Sequence, residues 1–306
     1  MRRRRHLSSV MTAAAILAAG CSDTTGPPLP RDELAYRSLA EGGIFLMKAD
    51  GSGRRRIWFD NDYAMCDNWS PDGSAIAFHL NNADQIVKVS VSSGRVDTLT
   101  SGPNGSECPM WSPDGRRIAF IRIVRDSVTF GFQLYTMNAN GTSPTRLGTG
   151  TFMADRGSWS PDGRWIAVTR YSDDKIVLVN ATTGEVGPSL VGGRAPSWSP
   201  DGQRIAFDAQ VGGDMQIYVM NADGASVQRL TVDDSLGFND QYPVWTLDGT
   251  LITFHRYEFV RDTTVIPSAG PRLIASLHLI TPGGTAVPWI VGDLAAGDLV
   301  VWRPRQ

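Results

Sequence analysis

Side chains with reactive chemistry are scarce in this chain of 306 residues. It has only three cysteines and four histidines, and no Gly-x-Ser-x-Gly motif occurs anywhere in it. The missing motif excludes the nucleophile elbow of the α/β-hydrolase enzymes. Because so few histidines make a catalytic cluster of His, Arg and carboxylate groups hard to build, we predict no catalytic residues, no bound metal and no cofactor.

Long hydrophobic runs and an excess of positive charge are also missing. Beyond the N-terminal leader no stretch is apolar enough to enter a bilayer. Removing that leader leaves 25 basic and 31 acidic residues, a net charge of −6. A nucleic-acid partner favours a basic face, so this balance argues against one.

The N-terminus carries the features of an export signal. Arg2–Arg5 precede an apolar run at Val10–Ala19 that is too short to span a bilayer, which predicts a cleavable signal peptide over residues 1–20. Small residues directly before Cys21 resemble a bacterial lipobox, so we predict that Cys21 is lipidated. The alternative is an ordinary signal peptide with an incidental cysteine. Ser22 favours sorting to the outer membrane. Residues 21–32 then form a lipidated, flexible tether, and residues 33–306 form one domain.

Five near-copies of one ten-residue phrase recur along that domain. They read WSPDGSAIAF from Trp69, WSPDGRRIAF from Trp111, WSPDGRWIAV from Trp159, WSPDGQRIAF from Trp198 and WTLDGTLITF from Trp245. Successive tryptophans are 42, 48, 39 and 47 residues apart. A period in the forties is typical of a β-propeller, in which each repeat forms one four-stranded blade.

The phrase predicts two strands joined by a tight turn. Trp ends the inner strand, Ser-Pro-Asp-Gly forms the turn, and the apolar run begins the next strand. The aspartate of each turn is therefore predicted to be structural. A second phrase, such as IYVMNADG from Ile217, occurs six times and predicts the two outer strands.

The two phrases differ in number because one copy of the first is divided between the chain ends. Val300-Val301-Trp302 supplies the end of an inner strand, and Leu34-Ala35-Tyr36 stands where Ile-Ala-Phe stands elsewhere. We therefore predict an all-β, six-bladed β-propeller closed by pairing of the C-terminal strand with the N-terminal blade, which removes exposed edges. An open solenoid or a seven-bladed ring would not need the divided copy.

These motifs resemble those of the TolB-type β-propeller family, whose repeats carry the same WSPDG…IAF…IYVMNADG…RLT pattern. The resemblance covers about residues 33–304. It implies the fold, but a fold does not by itself give a function. TolB carries an α/β domain ahead of its propeller. Here the predicted propeller begins shortly after Cys21, so we expect that domain to be missing.

Two cysteines and two histidines occupy matching places in the repeats. Cys66 and Cys108 each stand three residues before an inner Trp, in adjacent blades. They could pair in an oxidising compartment. The distance expected between equivalent sites in neighbouring blades instead favours two free, partly buried thiols. His79 and His255 each follow the Phe of a second strand and are predicted to be loop or surface residues.

Polar residues also stand just before the inner Trp of the repeats, where the chain enters the axial channel. Loops on a rigid scaffold, with polar groups converging on a pore, are where propellers bind their partners. The candidate partner-binding residues are Asp67, Glu107, Asp155, Arg156, Arg194, Asp240, Gln241 and Asp298.

The sequence thus predicts a non-enzymatic, monomeric lipoprotein of the cell envelope that faces the periplasm. It would bind an envelope protein or peptide through the axial funnel and the top face, where the loops before the inner strands open. The alternative is a carbohydrate-active enzyme, a lyase or hydrolase with its site in the funnel. A third reading is a purely structural envelope lipoprotein.

Overall fold

Six four-stranded antiparallel sheets make up the part of the chain that the computed structural model describes. That part comprises residues 33–37, 41–48, 52–59, 64–80, 83–125, 130–153, 155–232, 238–260, 272–295 and 300–302. We number the sheets as blades 1 to 6 in chain order and name their strands a to d, from the inner strand outwards. The all-β fold and its six blades are confirmed. Among these residues no helix is long and apolar enough to cross a membrane.

The strands follow the two phrases of the repeat. Blade 1 contains Val300–Trp302 (β24), Glu33–Arg37 (β1), Ile44–Lys48 (β2) and Arg55–Trp58 (β3). Blade 2 contains Ala64–Trp69 (β4), Ala75–Leu80 (β5), Gln85–Ser90 (β6) and Val96–Thr98 (β7). Blade 3 contains Ser106–Trp111 (β8), Arg117–Arg125 (β9), Phe130–Asn138 (β10) and Thr145–Arg146 (β11).

The second half of the ring repeats this arrangement. Blade 4 contains Ser158–Trp159 (β12), Trp165–Arg170 (β13), Lys175–Asn180 (β14) and Val186–Gly192 (β15). Blade 5 contains Arg194–Trp198 (β16), Arg204–Val211 (β17), Asp214–Asn221 (β18) and Gln228–Arg229 (β19). Blade 6 contains Phe238–Trp245 (β20), Ile252–Val260 (β21), Arg272–Ile280 (β22) and Ala286–Ala295 (β23).

Blade 1 is completed by the last strand of the chain, as the divided repeat predicts. β24 pairs with β1 in antiparallel register, with Trp302 opposite Leu34 and Val300 opposite Tyr36. The side chains of Leu34 and Ala35 are fully buried. The C-terminal strand therefore takes the place of strand a in the first blade.

The core lies between the blades. The described residues form six hydrophobic clusters, and each cluster joins two neighbouring blades. The cluster between blades 6 and 1, for example, packs Tyr36 and Met47 against Leu251 and Leu279. Because a four-stranded sheet cannot bury both of its faces alone, this packing stabilises the ring at every seam.

The Ser-Pro-Asp-Gly turns are held by one hydrogen-bond pattern. In blade 5 the Ser199 hydroxyl donates to Asp201 Oδ1 at 2.5 Å, and the Gln203 N–H donates to the same oxygen at 3.0 Å. The serine Oγ also accepts the Arg204 N–H at 2.9 Å. The hydrogen bond from the serine holds the pKa of Asp201 below its usual value. The aspartate of this turn therefore serves the geometry of the turn.

The inner strands of four blades each contain a β-bulge that the sequence pattern does not predict. In blades 2, 3, 5 and 6 the register of strand a against strand b shifts between the residues that stand four positions and one position before the inner Trp. One residue at each bulge adopts a left-handed conformation. These residues are Cys66, Cys108, Ala195 and Tyr242, with φ of 57°, 49°, 48° and 58°. The bulges bend the inner strands and redirect the side chains around the axis.

Candidate functional site

The top face is the end of the ring where strand a begins. Strands d lead to it and strands b turn back at it, so the d-to-a and b-to-c loops open on the same side. The inner strands enclose a small axial cavity of about 110 Å³, lined among others by Asn68, Pro109, Arg156, Pro196 and Pro243. Residues from blades 2 to 6 therefore meet at the axis.

Among the described side chains of the predicted set, Arg156 is the one that lines this cavity. It belongs to the segment that enters the short inner strand of blade 4, and its guanidinium carbon lies 5.9 Å from the ring centroid of Tyr242 in blade 6. A guanidinium at that distance from an aromatic ring is within cation–π range. The Arg156 side chain thus extends from blade 4 into the axial cavity, toward Tyr242 of blade 6.

Asp155 lies in the seam between blades 4 and 5, where its Oδ2 accepts the Ala195 N–H at 3.3 Å. Burial raises the pKa of this carboxyl to about 7, although the Thr169 hydroxyl, the Ala195 N–H and the charge of Arg194 favour its ionised form. Asp155 therefore joins two blades and is not a solvated loop residue.

Asp208 makes the same contact one seam further along the ring. Its Oδ2 accepts the Tyr242 N–H at 2.9 Å, and its side chain is almost fully buried. Burial and, to a smaller extent, the charge of Asp155 raise the pKa of Asp208 to about 7. In both seams the donor is a left-handed residue of the next blade's bulge. Buried carboxylates thus satisfy the backbone groups that the bulges withdraw from the ladder.

Three further candidates differ in how far they are buried and in what they contact. Asp240 is fully buried and forms a two-pronged ion pair with Arg256 of the adjacent strand, at 2.7 and 2.8 Å. Arg194 is exposed on the top face and pairs with Asp174 at 3.0 Å. Gln241 is half-buried and lies opposite His255 in the ladder. Asp240 is therefore a structural ion pair, whereas Arg194 remains accessible.

The remaining candidates are less completely described. Glu107 is half-buried in β8, and burial, then the charge of Asp84, raises the pKa of its carboxyl, while Arg125 opposes the shift. The backbone of Asp67 lies in β4, but its side chain is outside the described residues, as are Asp298 and Cys21. The described residues of the predicted set therefore do not form one cluster: some lie at the axis, some in the seams between blades and some on the exposed top face.

Cys66 and Cys108 form a disulfide, so the prediction of two free thiols was wrong. The error lay in the distance expected between equivalent sites of neighbouring blades. The Cα atoms are only 4.8 Å apart, well within the range that a disulfide requires. Both cysteines are the left-handed residues of their bulges, which brings the inner strands of blades 2 and 3 together at this point.

The prediction for the histidines was also wrong. His79 and His255 are buried within strands β5 and β21, with exposed fractions of 2% and 1%. Burial and the charge of Arg156 lower the pKa of His255 to about 3, so its imidazole is neutral. It packs between Tyr242 and Tyr257, with ring centroids 6.3 and 6.2 Å away. The second strands are simply longer than the apolar phrase suggests.

The comparisons with known proteins agree with this architecture. Residues 158–258 match the family described as the TolB beta propeller domain. The fold is a TolB-type β-propeller. A crystal structure of TolB from Acinetobacter baumannii is 18% identical, with a TM-score of 0.66 over 90% of this chain and 67% of that one.

Two other solved structures share the fold. That of a putative TolB from Agrobacterium tumefaciens is 20% identical, with a TM-score of 0.64 over 90% of this chain and 99% of that one. That of an oligogalacturonate lyase from Vibrio parahaemolyticus is 12% identical, with a TM-score of 0.56 over 85% of this chain and 79% of that one. At these identities the likeness concerns the fold alone.

Exposed aromatic side chains are the feature of this propeller that the sequence did not reveal. Among the described residues the exposed aromatic side chains are Phe59 and Tyr171, exposed by 58% and 56%. Phe59 follows strand d of blade 1, and Tyr171 lies in the b-to-c loop of blade 4, so both are on the top face. An aromatic residue in an otherwise polar loop is the signal that could have revealed them.

The opposite face has a different character. A broad groove of about 840 Å³ runs there between blades 2 and 3, along the turns that contain Pro71, Asp72 and Asp114. The turn carboxylates that line it are engaged within the turns: Asp72 accepts from Ser70 and Asp114 accepts from Ser112, each at 2.6 Å. Two basic residues of its lining, Lys88 and Arg95, pair with Asp97.

Proposed function

We propose that this TolB-type propeller is a non-catalytic protein of the cell envelope that binds a protein or peptide partner through its top face. The observation that carries the proposal is the position of the exposed aromatics. Phe59 and Tyr171 both lie on the top face, together with the exposed Val211 and Val232. Exposed aromatic side chains are enriched where proteins bind other proteins, because they bury a large area on binding.

The size of the axial cavity supports binding of a polypeptide rather than conversion of a small substrate. Ligand pockets usually enclose roughly 300–1,000 Å³, whereas the cavity here has about 110 Å³. That space accommodates one side chain inserted beside Arg156, and a carboxylate would complement the guanidinium. The partner would then contact Phe59 and Tyr171 on the top face and place one acidic group at the axis.

The anchor belongs to the same proposal. We infer that Cys21 carries a lipid, that residues 21–32 tether the propeller, and that the outer membrane holds it facing the periplasm. The leader and the residues before Cys21 support this assignment. Replacing Cys21 with Ser should leave a precursor or a soluble form in place of the membrane-bound protein. Labelled palmitate that still enters the Cys21→Ser protein would contradict it.

Photo-crosslinking in cells tests the binding face. A photoreactive amino acid at position 171 should give a defined adduct with an envelope protein, whereas the same probe at Leu247 should not. Leu247 is a suitable control because it is also exposed, by 41%, but lies in a turn on the opposite face. The adduct from position 171 should weaken when Arg156 is changed to Glu, and should persist when the exposed Arg146 of blade 3 is changed to Glu.

Two results would contradict the proposal. Equal adducts from positions 171 and 247 would place the binding face elsewhere. Release of product from a pectin-like or other envelope polysaccharide by the purified protein would favour the alternative of a carbohydrate-active enzyme. The oligogalacturonate lyase shares only its fold with this chain.

A further inference from the structure

Three potential metal ligands meet at the top of the seam between blades 2 and 3, outside the axial cavity. They are His79 of β5, Asp84 in the turn before β6, and Glu107 of β8. One ligand atom of each lies within 4.8 Å of the others, and His79 Nε2 is 3.7 Å from Asp84 Oδ1. The His79 side chain is buried, and that of Asp84 is 43% exposed, so the cluster opens to solvent on one side.

The backbone fixes these three positions. Asp84 has a left-handed conformation with φ of 49°, and its carbonyl oxygen accepts the Ser106 N–H at 2.8 Å. This hydrogen bond ties the b-to-c turn of blade 2 to the inner strand of blade 3, one residue before Glu107. The Cys66–Cys108 disulfide joins the inner strands of the same two blades, at the residue directly after Glu107. The ligands are therefore held on a braced seam.

The seam between blades 4 and 5 has the same geometry and reveals what the cluster lacks. There Asp174 has φ of 52°, and its carbonyl oxygen accepts the Gly193 N–H at 2.9 Å. Arg194, four residues before Trp198, pairs with the Asp174 carboxylate at 3.0 Å. Glu107 holds the corresponding place, four residues before Trp111. One seam thus supplies its own cation, and the other brings a second carboxylate to the same place.

The third position completes the comparison. Thr169 lies opposite Ile176 in blade 4, and His79 lies opposite Ile86 in blade 2, so the two residues are equivalent. In the seam with Arg194 this third position is Thr169, which carries a hydroxyl. In the seam with Glu107 it is His79, and its imidazole is a ligand that suits divalent transition metals. Two carboxylates close together repel each other, and a bound cation would relieve that repulsion.

We propose that His79, Asp84 and Glu107 bind a divalent transition-metal ion that takes the place of the arginine in the equivalent seam. Bonds of about 2.0–2.2 Å to a tetrahedral Zn²⁺ require ligand atoms roughly 3.5 Å apart, so the cluster must contract by about 1 Å. The exposed Asp84 side chain can supply that movement. Water or a group of the bound partner completes the coordination. The site goes beyond the proposed binding function and does not depend on it.

The test uses the full chain, purified in detergent without a histidine tag, stripped of metal and kept free of thiol reductant. Zn²⁺ is titrated by calorimetry, and Co²⁺ is followed by its visible absorption. We expect one equivalent of Zn²⁺ to bind with a Kd in the micromolar range, roughly 1–50 μM, and to raise the melting temperature. Bound Co²⁺ should give ligand-field absorption bands, and these should disappear when Zn²⁺ displaces the Co²⁺.

Variants of one residue decide the assignment. Glu107→Gln should weaken Zn²⁺ binding at least about tenfold. Glu107→Arg copies the seam between blades 4 and 5, so it should fold and show no Zn²⁺ binding. Asp223→Asn is the control, because Asp223 is an acidic residue in a turn of blade 5 on the opposite face. It should bind Zn²⁺ as the parent does.

Either of two outcomes overturns the proposal. One is no saturable binding of Zn²⁺ or Co²⁺ by the parent up to about 1 mM, which would leave the nearby Arg125 as the balancing cation. The other is binding by Glu107→Arg that equals binding by the parent. If Glu107→Arg fails to fold, unchanged Zn²⁺ affinity in both Glu107→Gln and Asp84→Asn overturns the proposal equally.

Discussion

Asp155 and Asp208 lie in consecutive seams, and each accepts a backbone N–H from the inner strand of the following blade. Burial raises the pKa of both carboxyls to about 7. An unfolded aspartate titrates near about 3.9, so between these values the folded state binds more protons than the unfolded state. The stability that these groups contribute is full below about pH 4 and is lost as the pH rises through about 7.

Replacing Asp208 with Asn should remove this dependence at one seam. The amide oxygen still accepts the Tyr242 N–H, but it carries no charge at any pH. Relative to the parent, the free energy of unfolding of Asp208→Asn should therefore rise between pH 5 and pH 8, by on the order of 2 kcal/mol. Urea unfolding at a series of pH values measures this difference.

The comparison with the parent is essential because His255 acts in the opposite direction. Its pKa of about 3 in the folded state means that its contribution to stability is lost as the pH falls below the usual histidine value. That contribution is common to parent and variant and cancels. An offset between Asp208→Asn and the parent that stays constant from pH 5 to pH 8 would show that the buried carboxyl is ionised throughout this range.

The sequence could not have revealed the chemistry of these residues. Asp208 follows Phe207 at a place where other repeats have His79, Thr169 or His255, so no common pattern points to it. Its hydrogen-bond donor is a residue 34 positions later, in the next blade. Periodicity predicts which residues face the core of a blade, but not which polar group of a neighbouring blade will meet them.

At the scale of the element, the Ser-Pro-Asp-Gly turn is the unit that the sequence predicted best. Its residues are consecutive, and its hydrogen bonds are local, so the motif contains all the information that the turn needs. The inner strand was predicted less well. Its bulge depends on the packing of the blades around the axis, and residues as different as cysteine, alanine and tyrosine adopt the left-handed conformation there.

Removing the aspartate of one turn should cost little but measurable stability. Asp201→Ala loses the hydrogen bonds from the Ser199 hydroxyl and the Gln203 N–H. Because the group is exposed and screened by solvent, we expect a loss of about 1 kcal/mol in urea unfolding. Asp223→Ala loses only one backbone hydrogen bond, from the Ala225 N–H, and should cost less. Equal costs would mean that the serine contact contributes nothing.

The disulfide between the inner strands of blades 2 and 3 should contribute more. It closes a loop with a sequence separation of 42 residues, and loops of that size typically yield about 2–4 kcal/mol. Adding dithiothreitol should therefore lower the melting temperature of the parent. The Cys66→Ala, Cys108→Ala double variant should melt at the lower temperature with or without dithiothreitol. A parent unaffected by full reduction, verified by thiol titration, would contradict this expectation.

At the scale of the whole molecule, the ring depends on three residues of the C-terminal strand. β24 covers the edge of β1, beside the fully buried Leu34 and Ala35. A chain ending at Leu299 would expose that edge and open the seam, and the loss should be comparable with a domain's net stability of roughly 5–15 kcal/mol. We expect aggregation or the loss of a cooperative thermal transition.

A chain ending at Trp302 is the matched control, since it keeps β24 and removes only residues 303–306. It should melt within a few degrees of the parent, which differential scanning calorimetry measures directly. A chain ending at Leu299 that melts as cooperatively as the control would show that the ring closes without its last strand.

Because the closing strand pairs in the ordinary register of a blade, the ring does not depend on which blade comes first in the sequence. Trp302 stands opposite Leu34 just as Trp69 stands opposite Ile76, but in blade 2 residues 70–75 connect the two paired residues. A copy of that six-residue segment between Trp302 and Leu34 would turn the two ends of the chain into an ordinary hairpin. The molecule would then be a candidate for circular permutation, with new termini at any other Ser-Pro-Asp-Gly turn. Each blade is specified by its own repeat and its two neighbours, so a gene that begins at a different blade should encode the same ring.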